Sequence, residues 1–190
     1  MGFAISWLAV KGKTPEALAR ELGLAPSGEA AEIGEATFTG GALPGGWFLL
    51  VMNRCEHEFV AATSLALLSR DCEVVACSIE EHVMVSTSEL WRNGARVWRI
   101  EHDAQRSIDH ISASGRVPDT YSAIEREFVE RQNQAGGRNA DIDYFFEIPL
   151  QMAKSIVGFK HDEARPEEES FETFRGASLS SERKPWWKVW

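Results

Sequence analysis

Five histidines stand in this chain of 190 residues, and the carboxylates beside them are its most chemically suggestive groups. His82 follows Glu80 and Glu81, and His102 precedes Asp103. An imidazole and a carboxylate within hydrogen-bond reach can move a proton. A metal ion asks for more, several N, O or S donors converging on one point. Glu80, His82 and His102 are the set a small enzyme would use, if the strands that carry them brought them together. On a strand, Glu80 and His82 share a face and Glu81 takes the other. Ser78 or Cys77 beside His82 would supply a nucleophile and base, but the chain has no GxSxG elbow. Asp141, Asp143 and Glu147 offer paired carboxylates; at alternating spacing they read better as the solvated face of a strand.

The elements that must position these groups follow from periodicity and turn signals. Residues 72–103 read CEVVACSIEEHVMVSTSELWRNGARVWRIEHD, two Val-, Ile- and Trp-rich runs around Asn93-Gly94, a two-residue hairpin signal. With that loop, Trp91 faces Arg96 in a cation–π pair, and Leu90 faces Val97. Counting back, Val85 faces His102, so His102 and His82 do not converge and no metal site is expected. Val74-Val75-Ala76-Cys77 is apolar on both faces, as a doubly covered central strand requires. Glu80-Glu81-His82 interrupts it as a bend, a bulge or the wall of a cavity.

Further strands are expected at Phe3 to Val10, Trp47 to Met52 and Asp141 to Ile148, the last with Ile142, Tyr144, Phe146 and Ile148 inward. Helices are expected from Thr14-Pro15-Glu16 to Gly23, over Thr63 to Arg70, from Pro118-Asp119 to Gly136-Gly137, and from Pro149 to Gly158. Ile108 and Ile111 suggest one more short helix. Ala25 to Glu35 reads as loop. Gly40-Gly41 through Gly45-Gly46 reads as a turn, since no GK[ST] or helix-opening GxGxxG makes it a phosphate loop. The fold class is α+β: a central antiparallel sheet of about five to six strands, packed by about three to four amphipathic helices, with a C-terminal tail.

A formal net charge of −9 and a pI near 5.1 argue against nucleic acid as the main partner. The acidity lies in the body, because residues 160–190 hold six basic and seven acidic side chains. Those residues are read as a polar tail appended to one domain over 1–159. The tail ends in Lys184-Pro185-Trp186-Trp187-Lys188-Val189-Trp190, whose tryptophans must find a surface on this fold, a sister chain or a partner. Cys55, Cys72 and Cys77 show no CxxC spacing. Cys72 and Cys77 point to opposite faces of one strand, so reduced thiols and a cytoplasmic location are expected. The apolar start lacks the basic flank of a leader, and no run reaches the length of a membrane span.

Four patterns resemble the small bacterial α+β domains that include immunity-type proteins of toxin–antitoxin and competition systems. They are the strand opened by Gly46-Trp47, LSRDCEVVACSIEEH over 68–82, W-x-NG-x-x-VWRIEHD over 91–103, and G-x-VPDTY over 115–121. The likeness spans roughly Trp47 to Thr120. It implies a protein that binds and neutralises a toxin, and it assigns no residue a role. Many such toxins are basic, and an acidic surface would steer toward them. The expectation is therefore a non-enzymatic binding protein without cofactor or metal. Its candidate contacts are Glu80, Glu81, His82, Asp141, Asp143, Glu147, Trp186, Trp187 and Trp190. The alternatives are a homodimer built through the Trp-rich tail, or a small enzyme using Glu80, His82 and His102.

Overall fold

A computed structural model describes residues 2–163 and 171–177. They form one sheet of nine strands, more than the sequence suggests, and every pairing is antiparallel. The strands are β1 (Ala4–Lys11), β2 (Leu24–Ala30), β3 (Phe38–Leu43), β4 (Trp47–Met52), β5 (Glu73–Glu80), β6 (Val85–Arg92), β7 (Ala95–Asp103), β8 (Ser112–Gly115) and β9 (Glu172–Gly176). Their order across the sheet is β2-β9-β3-β4-β1-β5-β6-β7-β8. The helices are α1 (Pro15–Glu21), α2 (Ala62–Leu68), α3 (Thr120–Gln134) and α4 (Glu147–Val157).

The central strands are apolar on both sides because both sides are covered. Ile5, Trp7 and Ala9 of β1 and Val75, Cys77 and Ile79 of β5 face α3 and α4, with Tyr121, Phe128, Ile148 and Met152 in the same core. Leu8, Val10, Val74 and Ala76 face α1 and α2, against Leu18, Leu65 and Leu68. Cys72 and Cys77 fall on opposite sides, and all three thiols are unpaired. α1 starts as its sequence directs, with Thr14 Oγ1 accepting from the Ala17 amide and Pro15 in the first turn.

Several expectations are corrected. Ala25 to Glu35 contributes β2, an edge strand exposed along most of its length, so no apolar alternation marks it. Gly40 and Gly41 lie within β3, and the turn is the short segment Pro44–Gly46 that follows. The segment holding Ile108 and Ile111 is loop leading into β8. Within 160–190, residues 172–176 are β9, inserted between β2 and β3, with Phe171, Thr173 and Phe174 buried. Asp141 to Ile148 is not a strand. Asp143 Oδ1 accepts from the amides of Phe145 and Phe146 and folds the chain into a turn, so that α4 begins at Glu147 and Ile142 lies exposed.

The β6–β7 hairpin turns at Asn93-Gly94, both at positive φ, and Arg96 sits 5.8 Å over the Trp91 ring. Beyond that pair the register departs from the count. Trp91 faces Arg96 but Leu90 faces Trp98, so Val97 is the extra residue of a bulge. Gly115 of β8 packs against it at positive φ, where a Cβ would overlap the Val97 carbonyl, and Arg116 N–H donates to that carbonyl at 2.8 Å. The bulge puts Trp98 and Ile100 into the α3–α4 core. It moves Arg99 opposite Glu89 and Glu101 opposite Thr87, on the other face.

Candidate functional site

The sequence-derived set does not assemble. β5 ends at Glu80, and residues 81–84 are the turn into β6. Glu80 and His82 bond to each other at 2.6 Å at this outer turn, with the His82 side chain 60% exposed. The register runs Glu80 to Val85 to Asp103, so His102, one residue short, points through the opposite face. There its ring is fully buried. Nδ1 donates to the His110 carbonyl at 2.7 Å, and Nε2 bonds Asp143 Oδ2 at 2.9 Å.

The other candidates divide by what already holds them. Glu81 accepts from the Phe3 amide at 2.8 Å and bonds buried His161 at 3.1 Å, tying the first strand to the segment after α4. Glu147 pairs with Lys160 at 3.0 Å. Asp141 is exposed. Trp186, Trp187 and Trp190 lie outside the described residues. Cys77 is enclosed in the α3–α4 core, where burial pushes its thiol pKa well up and leaves it unreactive. Among the described residues, no group of three His, Cys, Asp or Glu side chains is placed to hold a metal ion.

The groups that do gather are on the α1–α2 face. α2 meets the tip of the β6–β7 hairpin, where Ser69 accepts from the Gly94 amide. Away from that tip, the same face of β5, β6 and β7 is half-exposed and polar. A cleft of about 230 Å³ opens there, lined by Glu56, His57, Val60, Ala61, Ala62, Ser78, Thr87, Glu89 and Arg99. Its floor comes from strand pairing, with Ser78 opposite Thr87 and Glu89 opposite Arg99. Its roof is the segment before α2. Ser6 fixes that roof by donating to the Arg54 carbonyl at 2.9 Å and accepting from the His57 amide at 3.2 Å.

Glu89 is the deepest charge, 5% exposed. Its nearest cations are Arg96 at 3.5 Å and Arg99 at 3.9 Å, both long for a charge-assisted bond. Arg99 is held elsewhere, donating through Nε and Nη2 to Glu101 at 3.2 and 2.8 Å. His57 Nδ1 accepts from the Phe59 amide, and burial lowers the His57 pKa, so a neutral ring lies at the roof. Cys55 directly precedes Glu56 of the lining. Burial, then the charges of Glu56 and Glu80, push its thiol up to about 11. No hydrogen bond joins Ser78 to His57 among the described residues, so the cleft holds no paired nucleophile and base. Sequence reading passed over Glu89, Thr87, Arg99 and His57. The available signal was a glutamate within the run Ser86 to Trp91, and the bulge hid its arginine partner.

No protein-family model, curated protein or solved structure matches the chain.

Proposed function

We propose that the protein acts without catalysis, as an immunity- or antitoxin-type inhibitor that captures a basic protein partner on an acidic surface. One observation carries this reading. The buried groups best suited to chemistry, His102 with Asp143 and His161 with Glu81, are bonded into the fold, whereas exposed Glu56 and half-buried Glu80 lie together at one end of the sheet. Glu56 and Glu80 act together there on the Cys55 thiol, and Glu56, the exposed one of the two, borders the cleft. Such a surface speeds encounter with a cationic protein and rejects an anionic one.

Capture from the native host's lysate on immobilised full-length chain, at low and high salt, tests the reading. A basic protein should be retained at low salt. It should be lost, along with about tenfold or more of its association rate, in the Glu56→Lys/Glu80→Lys chain. Retention of the same partner by that double variant, unaltered by salt, would overturn the proposal.

A further inference from the structure

The cleft floor has acceptors to spare, and they open onto the cleft. Ser78 and Thr87 make no side-chain hydrogen bond among the described residues, and Glu89 touches its arginines only at 3.5 and 3.9 Å. Both hydroxyls are half-exposed and free to bond a guest, and a carboxylate has room for several donors. We infer that this cleft receives one alkylguanidinium or alkylammonium group, with the cationic head on Glu89, Ser78 and Thr87. Its methylene stem lies along Val60, Ala61 and Ala62.

Charge favours a cation over an anion. Glu56 and Glu89 supply two negative charges to the lining against one positive charge from Arg99, whose Nε and Nη2 are engaged by Glu101, and neutral His57 adds none. Size favours a side chain over a whole metabolite, because about 230 Å³ falls below the roughly 300–1,000 Å³ of small-molecule sites. The inference rests on the proposed function, for which the cleft would be the anchor point of a basic partner. A free alkylamine or guanidine presents the same chemistry and would bind by the same acceptors.

The test is a ¹⁵N amide titration of the full chain with N-acetyl-arginine methylamide and N-acetyl-lysine methylamide, with N-acetyl-glutamate methylamide as control. Saturable shifts should centre on Ser78, Thr87, Glu89 and His57 with the cationic probes only. Glu89→Gln should weaken them about tenfold, and Thr87→Val, which keeps shape and removes one acceptor, by a smaller factor. Thr87→Val also serves if the Glu89 variant does not fold. No saturation, equal shifts with the glutamate control, or unchanged affinity in both variants would overturn the inference. A lysate arm separates the sources. A captured protein weakened by Glu89→Gln places the cation on a partner. Probe binding with no captured protein leaves the cleft standing as a site for a free alkylamine or guanidine and removes the proposed function instead.

Discussion

His102 and Glu89 belong to paired neighbouring strands, and each lies beside a group of opposite character, yet their surroundings have nothing else in common. On the face covered by α4, His102 is bonded at both ring nitrogens. Asp143 answers it with one oxygen and caps two backbone amides with the other, and Ser86 Oγ donates to the Phe146 carbonyl at 2.7 Å. On the opposite face Glu89 has two distant arginines and a cleft. Strand parity separates them, since Ser86 and Ser88 point one way while Thr87 and Glu89 point the other. Cover does the rest. Under the packed helix Ser86, His102 and Asp143 are bonded to protein partners, and the open face lets polar groups keep capacity for something else.

That contrast can be broken most severely at the closed end. His102→Ala removes one half of a buried pair and leaves the Asp143 carboxylate without it. A loss of about 3–5 kcal/mol in urea unfolding is expected, with early amide exchange over residues 141–146. A smaller effect should follow Gly115→Val, which forces a β-branched side chain into positive φ against the Val97 bulge. A loss of about 1–3 kcal/mol is expected. Its chemical-shift changes should reach Arg99 and Glu89 before His161, because the bulge aims Arg99 at the cleft.

The acidic rim gives a third test. A folded-state pKa of about 11 for Cys55, raised from 9.0 by burial and then by Glu56 and Glu80, keeps the thiol protonated through neutral pH. Alkylation of the native chain at pH 8 should run about a hundredfold slower than in the unfolded chain, and climb about tenfold per pH unit toward pH 11. The raised pKa favours the neutral folded form below pH 9, so this contribution to stability fades as pH rises from 9 to 11. Glu56→Gln should speed the alkylation, and no change would remove Glu56 from the local field. The least effect is expected from Ser88→Ala, because the buried Ser88 Oγ has no hydrogen-bond partner among the described residues. Stability should stay within about 0.5 kcal/mol of the parent or rise.

Legibility in the sequence tracks how local each signal is. β1, β4, the central hairpin and the four helices of the described residues follow from apolar periodicity, Thr14-Pro15, Asn93-Gly94 and Gly158. β2 and β9 are legible only as a pair, since an exposed strand and a polar one define each other across the chain. Asp141 to Ile148 alternates like a strand, but Asp143 uses its side chain to cap two amides, and local hydrogen bonding overrides the pattern. The cleft was hidden by a single residue. Counting back from Asn93-Gly94 without the Val97 bulge sets Glu89 against Trp98 and turns Arg99 to the wrong face. The Glu80–His82–His102 set failed because a turn, not a continuing strand, follows Glu80.

Two isosteric amides test most directly whether one carboxylate holds the fold while the other is free to serve a ligand. Urea midpoints of Asp143→Asn and Glu89→Gln should be measured side by side on the full chain. An asparagine oxygen can meet His102 or cap Phe145 and Phe146, but not both. Asp143→Asn should therefore lose about 2 kcal/mol or more, and Glu89→Gln less than about 1 kcal/mol. If Glu89→Gln costs as much as Asp143→Asn, the Glu89 carboxylate is one more internal strut, and the cleft is not a site.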